Sequence, residues 1–295
     1  MRIAHLIMTY KNPLQVERLV RRLDHPNFDI YIHLDKKIDI KDFKFLGGYN
    51  RVNFIKNRSI CNWGGFSFVK AITNSVREIL SNSEDYEYVN LMSAQDYPIK
   101  DNDYIYNYYE RYKGTSFISY EKSNDSDWWK HAVTRYELYH FTDISIKGRY
   151  FVQGILNRLM PKRKFPISCE LYGSAISSWW TISSECAHYI VEYLDNNQEL
   201  MKFMKYTWAA DEFLYATIIM NSSFKGKTIN NNLRHIEWEK GKPNPRIFNI
   251  NDLNTLKESN HLFARKFDIS VDSKILDELD ELNEIAKNTN YNLKK

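Results

Sequence analysis

The chain has few cysteines and lacks the glycine-rich motifs of several enzyme classes. Its 295 residues include three cysteines, Cys61, Cys169 and Cys186, with no C-x-x-C spacing. This pattern predicts neither a disulfide framework nor a zinc site, and it fits a reducing compartment. The sequence contains no G-x-G-x-x-G, P-loop or G-x-S-x-G motif, so dinucleotide-binding, ATP-binding and serine-hydrolase functions have no support.

Long apolar runs and a dominant charge are also missing. The apolar stretch at the N-terminus is too short for a signal peptide or a spanning helix, and no later run is long enough. The 41 basic and 37 acidic residues give a formal net charge of +4. Nucleic-acid binding needs a dominant basic face, so no nucleic-acid partner is expected. We expect a cytoplasmic protein, either soluble or bound at the inner face of the membrane.

The first third of the chain predicts an α/β fold with a mostly parallel sheet and covering helices. Apolar runs at residues 2–9, 28–34, 51–56 and 86–92 read as strands, with helices after Asn12 and after Trp63-Gly64-Gly65. Asn12 and Gln15 are expected to form a capping box. Ligands of such sheets bind beyond the carboxyl ends of the strands, where residues 33–37 and 93–98 lie.

The rest of the chain predicts further strands at residues 179–183 and 231–238 and a helix at residues 184–194. Another helix is expected from Ala210, with Asp211 as its N-cap. We interpret residues 1–295 as a single domain. Residues 1–120 would form a nucleotide-binding part, 121–270 an acceptor and catalytic part, and 271–295 a C-terminal helix.

Two adjacent cations, Arg265 and Lys266, stand inside the apolar segment Leu262–Phe267. Cations are rare in such a setting unless an anion meets them, and a diphosphate would suit the planar fork of arginine and the point charge of lysine. The alternative is one buried and one exposed residue at the end of a strand.

Two carboxylate pairs are candidates for chemistry. Asp211-Glu212 could supply an acid or base, or could be structural at a helix start. Asp125-Ser126-Asp127 has the D-x-D spacing with which many nucleotide-sugar enzymes hold a divalent metal.

Residues 149–164 combine a possible amphipathic helix, 149–160, with the basic run Lys162-Arg163-Lys164. Such a segment could contact anionic lipid as a peripheral membrane element, or could be a solvated surface loop.

Several segments in order resemble one family, the core-2/I-branching glycosyltransferases (glycosyltransferase family 14), which includes the peptide O-xylosyltransferases. The matching pieces are His33-Leu34-Asp35-Lys36, Trp63-Gly64-Gly65, Leu91-Met92-Ser93-Ala94-Gln95-Asp96-Tyr97-Pro98, Ser178-Trp179-Trp180, Asp211-Glu212, Asn232-Leu233-Arg234 with Trp238, and Leu262-Phe263-Ala264-Arg265-Lys266-Phe267.

The resemblance implies a GT-A type fold, a UDP-sugar donor, inversion at the anomeric carbon, and no metal or other cofactor. Glu212 matches the base of the family. Arg265 and Lys266, with Arg246, match the cations that neutralise the diphosphate. The remaining matches are, for the donor site, Asp35, Trp63, Gly64, Asp96 and Ser178, and, for the substrate side, Arg135, Trp180 and Trp238.

The chain also departs from the family pattern. Ile176-Ser177-Ser178 stands where Gly-Ser precedes the tryptophan pair, which leaves N-acetylglucosamine and xylose both open as the donor sugar. With no anchor or stem, the resemblance implies a bacterial, cytosolic member acting on a glycan or lipid-linked glycan. Two alternatives are a metal-dependent transferase that uses Asp125 and Asp127, and a non-catalytic glycan-binding protein on the same fold.

Overall fold

The computed structural model describes residues 1–239, 241–242 and 244–293. The strands are β1 Ile3–Thr9, β2 Phe28–Leu34, β3 Val52–Phe54, β4 Tyr88–Ser93, β5 Asp96–Pro98, β6 Ser116–Ile118, β7 Glu121–Lys122, β8 Tyr172–Gly173, β9 Trp180–Ser183, β10 Thr228–Asn230, β11 Arg234–Ile236 and β12 Phe263–Arg265. The α-helices are α1 Pro13–Arg22, α2 Phe66–Leu80, α3 Asn102–Arg111, α4 Asp127–Ala132, α5 Thr134–Glu137, α6 Arg149–Leu159, α7 Ser184–Asn196, α8 Gln198–Met204, α9 Leu214–Met220, α10 Leu253–Glu258 and α11 Lys274–Leu293. Short 3₁₀ turns cover Ile40–Gly48, Ala210–Glu212, Ser223–Lys227 and Ile250–Asp252.

A seven-stranded sheet in the order β10-β6-β9-β4-β1-β2-β3 forms the centre. The pairings β1–β2, β1–β4, β2–β3 and β6–β10 are parallel, whereas β9 runs antiparallel to β4 and β6. The predicted α/β fold with a mostly parallel sheet is therefore confirmed. Strands β1, β2 and β4 are buried along their whole length, which explains why they read as continuous apolar runs.

The central sheet is covered on both faces. Ile3 and Ile7 of β1 pack in a core with residues of α1, α3 and α11, while Ala4 and Leu6 pack in a second core with residues of α2, α7 and α9. Successive side chains of a strand point to opposite faces, so one strand supplies both cores. Among the described residues, no helix combines the length and the apolar character that crossing a bilayer requires.

A small second sheet, β11-β12-β5, lies beside the carboxyl ends of the central strands. In it β12 is parallel to β11 and antiparallel to β5, and Arg265 stands opposite Asp96. Lys11, Asp35 and Asp96 come one to three residues after the ends of β1, β2 and β4. Because these strands are parallel, the three residues lie along the same edge of the sheet.

Two local predictions about helix starts are wrong. Helix α1 begins after Asn12 as expected, but Asn12 has a left-handed φ of 54° and makes no cap. Its side chain donates to Asp268, while the buried Gln15 amide donates to the Ala94 carbonyl at 2.8 Å. Asp211 caps no helix, because residues 210–212 form a 3₁₀ turn and α9 starts later.

The other elements follow the prediction with small changes in their limits. The helix expected at residues 149–160 is α6, the late strand is reduced to β11, and the tail helix is α11. Residues 294 and 295 of the predicted C-terminal helix lie outside the described residues. The division into three functional parts at residues 120 and 270 stays a prediction. The small sheet combines β5, which precedes residue 120, with β11 and β12, which follow it.

Candidate active site

Arg265 is held between a carboxylate and an aromatic ring. Its Nη1 donates to Asp96 Oδ1 at 2.7 Å, and the Asp96 side chain is fully buried. The guanidinium lies over the Trp179 ring, 4.7 Å from its centroid. Among the described residues, only Nη1 of Arg265 has an acceptor, so its other nitrogens can serve an anion without breaking the bond to Asp96.

Two lysines accompany this arginine. Lys11 Nζ donates to Asp268 Oδ2 at 2.7 Å. Burial alone would raise the pKa of Asp268, but hydrogen bonds from Lys11 and Ser270 hold it at about 2. The Lys266 Nζ has no hydrogen-bond or ion-pair partner in the described part of the chain, although its backbone carbonyl accepts from the Phe248 amide at 2.9 Å. Burial, Arg265 and Lys11 all lower the pKa of Lys266, and a nearby anion would relieve the repulsion among the three cations.

Lys11 was missed by the sequence analysis. It follows the carboxyl end of β1 by two residues, and that position was a usable signal, since the same reasoning singled out residues 33–37 and 93–98. We refer to Lys11, Arg265 and Lys266 below as the cation cluster.

Glu212 forms the centre of a second group. Its Oε2 accepts a hydrogen bond from Arg135 Nη1, and its side chain is 22% exposed. Burial raises the pKa of Glu212 to about 7, although the Arg135 charge opposes the rise. A carboxylate in this range can accept a proton near neutral pH, as a general base must.

Arg135 is itself fixed by two rings. Its guanidinium lies 4.9 Å from the Trp128 ring centroid and 4.7 Å from that of Trp208, and its backbone carbonyl accepts from the Trp208 amide at 3.0 Å. Stacking between aromatic faces limits the positions that an arginine can adopt. The ion pair to Glu212 is therefore oriented from both sides.

A short chain of contacts joins Glu212 to the cation cluster. Ser178 Oγ donates to Asp211 Oδ2 at 2.7 Å, and Ser178 precedes Trp179, the ring under Arg265. Burial raises the pKa of Asp211, and the Ser178 bond opposes that rise. The structure thus brings the predicted residues Ser178, Asp96, Arg265 and Glu212 into one region.

The loop at Trp63-Gly64 closes against the Glu212 segment. Gly64 has a φ of +67°, and a Cβ there would lie 2.3 Å from Nε1 of Trp208. Its carbonyl accepts from the Ala209 amide at 2.8 Å. Trp63 is 75% exposed and makes an edge-to-face contact with Trp208 at 5.5 Å. Only glycine fits here, and Trp63 offers an open ring beside the site.

Asp35 directly follows β2, whereas Arg246 and Trp238 lie in the segment between β11 and β12. Asp35 is buried, and its Oδ1 accepts from the Lys37 amide at 3.0 Å. Arg246 donates from both Nη atoms to Asp252 and from Nε to Glu237, each at 2.8 Å. No hydrogen bond, ion pair or ring contact among the described residues joins Arg246 or Trp238 to the cation cluster or to Glu212. Trp238 is 39% exposed.

The structure corrects the prediction that Trp180 contacts the substrate. Trp180 is 1% exposed and packs in the core beside Tyr215, with ring centroids 5.6 Å apart. Its neighbour Trp179 is the ring that faces Arg265. Trp180 is the first residue of β9 and its side chain points into the core, whereas Trp179 precedes the strand and is only partly buried. The sequence shows two adjacent tryptophans and does not indicate which of them is buried.

Comparison with known proteins identifies the family of the chain. The family profile of the Core-2/I-Branching enzyme matches residues 3–259. The chain belongs to the core-2/I-branching enzyme family. This family member is 24% identical to xylosyltransferase 1 of Mus musculus over 302 residues, covering 95% of the chain and 30% of that protein. It is also 24% identical to xylosyltransferase 2 of Homo sapiens over 303 residues, covering 95% and 33%. The chain therefore spans about a third of the length of these relatives.

A solved structure, mouse xyloside xylosyltransferase 1, aligns over 90% of this core-2/I-branching family member and 97% of that chain. The identity is 8% and the TM-score is 0.42.

The D-x-D pair of this family member lies on the surface. Asp125 is exposed, and the Asp127 side chain is 93% exposed and pairs with Lys130 at 2.5 Å. No group of three His, Cys, Asp or Glu side chains in the described ranges is arranged to hold a metal ion.

Proposed function

We propose that this chain is an inverting glycosyltransferase that needs no metal ion. It would move a sugar, N-acetylglucosamine or xylose, from a UDP-sugar to a hydroxyl of a glycan or lipid-linked glycan. The family membership and the names of the xylosyltransferase relatives support a glycosyl transfer. The single observation that carries the mechanism is Glu212, a partly exposed carboxylate with a pKa of about 7. Its neighbour Asp211 is hydrogen-bonded to Ser178, which precedes the Trp179 ring under Arg265.

Glu212 would act as the general base. The acceptor oxygen attacks the anomeric carbon, the bond from that carbon to the diphosphate oxygen breaks, and Glu212 takes the acceptor proton. One in-line displacement inverts the configuration and needs one carboxylate. A second carboxylate acting as a nucleophile belongs to retaining chemistry, and Asp211 is held instead by Ser178.

The cation cluster would hold the leaving diphosphate. As the anomeric bond breaks, negative charge grows on the phosphate oxygens, and cations already in place stabilise it without reorganising. Lys266 has no acceptor among the described residues, and Arg265 keeps nitrogens available. Arg246 could join them only by exchanging Glu237 or Asp252 for a phosphate oxygen.

The remaining predicted residues fit around this centre in the proposal. Asp35, Trp63, Gly64, Asp96 and Ser178 would form the donor pocket, with Asp96 acting through Arg265. Arg135 and the half-exposed ring of Trp238 would serve the acceptor side, where an aromatic face can stack on a sugar ring.

The test of this proposal is UDP release with UDP-N-acetylglucosamine, UDP-xylose, UDP-galactose and UDP-glucose, each with a panel of sugar acceptors. We expect release with one of the first two donors, at the same rate in excess EDTA. Activity that EDTA abolishes and manganese restores would support a metal-dependent transferase instead. Glycan binding without UDP release from any donor would support the non-catalytic alternative.

The pH dependence of transfer should follow Glu212. We expect kcat/KM to rise with pH up to about 7 and then level off, because the base must be ionised. Since Arg135 lowers the pKa of Glu212, Arg135→Met should move this rise to higher pH. Methionine preserves much of the packing between the tryptophans. Arg111→Met, an exposed change at the end of α3, is the control. A rise that stays at the same pH in Arg135→Met would contradict the assigned electrostatic role.

A further inference from the structure

Helix α6 presents an apolar face to solvent. The exposed fractions are 74% for Phe151, 47% for Val152, 44% for Ile155 and 76% for Leu159. At 3.6 residues per turn, these four side chains fall within an arc of about 100°. No residue of α6 is buried. Exposed apolar residues are common singly, but a contiguous stripe of this kind indicates an interaction surface.

The opposite face of α6 is fixed to the protein by polar contacts. Gln153 Oε1 accepts from the Phe141 amide at 2.8 Å. The Asn157 side chain accepts from the Tyr139 amide at 2.8 Å and donates to the Tyr139 carbonyl at 2.9 Å. Rotating the helix to bury its apolar stripe would break all three bonds, so the stripe stays directed away from the core.

The charges around the stripe have one sign. Residues 144–164 contain six basic and no acidic residues. Lys162 pairs with Glu137, and Arg163 donates to backbone carbonyls. Lys147, Arg158 and Lys164 are exposed and have no carboxylate partner in the described part of the chain. An exposed apolar stripe bordered by cations has the composition of an interfacial helix on an anionic lipid surface.

We propose that the apolar face of α6 inserts into the interface of an anionic membrane. A second copy of the chain explains the surface less well, because a two-fold contact would set this basic face against itself. A lipid surface accommodates both features, since acyl chains receive the apolar side chains and anionic headgroups receive Lys147, Arg158 and Lys164.

Helix α6 lies close in the chain to the proposed catalytic residues, so membrane docking would also affect the position of the active site. This part of the inference rests on the proposed function. Its anchoring segment, Tyr139–Phe141, follows α5, whose Arg135 pairs with Glu212. Membrane docking would therefore hold the Glu212 side of the site near the lipid surface, where the hydroxyl of a lipid-linked acceptor is presented.

Vesicle co-sedimentation tests the membrane contact. We expect the chain to bind vesicles that contain phosphatidylglycerol, to bind less tightly as salt is raised, and to bind pure phosphatidylcholine weakly. The variant Phe151→Ser/Leu159→Ser should lose about tenfold or more in apparent affinity. The matched control is Leu14→Ser/Val271→Ser, which changes side chains that are 66% and 62% exposed elsewhere, and it should bind as the wild type does.

Three results would overturn the membrane contact. The first is binding to neither type of vesicle, and the second is an equal loss of affinity in both double variants. The third is a dimer in light scattering that Phe151→Ser/Leu159→Ser dissociates while vesicle binding is absent. Thermal stabilisation by UDP, measured on the same variants, tests the proposed function separately. A chain that binds vesicles but does not respond to UDP would contradict the transferase and leave the membrane contact standing.

Discussion

Glu212→Gln is expected to reduce sugar transfer by about a hundredfold to ten-thousandfold while UDP binding stays unchanged, because general base catalysis contributes about that much. Glutamine keeps an oxygen that can accept from Arg135, so the local structure should persist. It cannot take the acceptor proton at any pH. The measurement is the initial rate of transfer at saturating donor, together with UDP affinity by calorimetry.

The matched control is Glu137→Gln. Glu137 is also in an ion pair, with Lys162, and its side chain is 21% exposed, against 22% for Glu212. This control should keep nearly normal turnover. If Glu212→Gln turned over at a similar rate, the assignment of the base would be wrong, whatever happened to UDP affinity.

Arg265→Met is expected to have two separable effects, on stability and on UDP binding. Removing the guanidinium leaves Asp96 fully buried without its ion-pair partner, which should cost about 3–5 kcal/mol in the free energy of unfolding. It also removes a charged donor from the proposed diphosphate site, which should weaken UDP binding by about tenfold to a hundredfold. Denaturant unfolding and calorimetry measure the two effects.

The double variant Asp96→Asn/Arg265→Met separates them. Because neither member of the pair is left, it should regain part of the lost stability, but not all of it, since the Asp96 charge also favours the charged form of buried Arg234. It should not regain the UDP affinity. Arg2→Met/Asp29→Asn is the control, since it removes an ion pair whose carboxylate is also buried, 5% exposed, near the start of β1 and β2. Normal UDP affinity in Asp96→Asn/Arg265→Met would limit Arg265 to a structural role.

The fold was largely predictable because its central strands are buried on both faces. Strands β1, β2 and β4 are continuous apolar runs bounded by polar residues, and α2 and α7 have a clear helical period, so local pattern and tertiary environment agree. The capping box failed for a tertiary reason. Gln15 is drawn into bonds with the Ala94 and Phe267 carbonyls, contacts made across 79 and 252 residues that no local pattern contains.

The candidate site was predictable only in part. Arg265 and Glu212 stood out by residue type in an apolar setting and by the family resemblance. Lys11 follows the end of β1, a position that could have singled it out. Trp208 and Asp268 carry no such local signal, and they enter the site through contacts over long sequence distances. The sequence analysis chose Trp180, whereas Trp179 is the ring that faces Arg265. Residue type alone does not indicate which side chain of this adjacent pair points inward. The full pairing of Arg246 with Asp252 and Glu237 likewise depends on the path of the chain between residues 237 and 252.

The most direct test is a crystal structure of the protein soaked with UDP in the presence of EDTA. We predict that the pyrophosphate oxygens lie within about 3.2 Å of Arg265 and Lys266 nitrogens, with the uridine toward Asp35 and no cation between the phosphates and the protein. A pyrophosphate bound far from these two residues, or bound only when a divalent ion is supplied, would contradict the account.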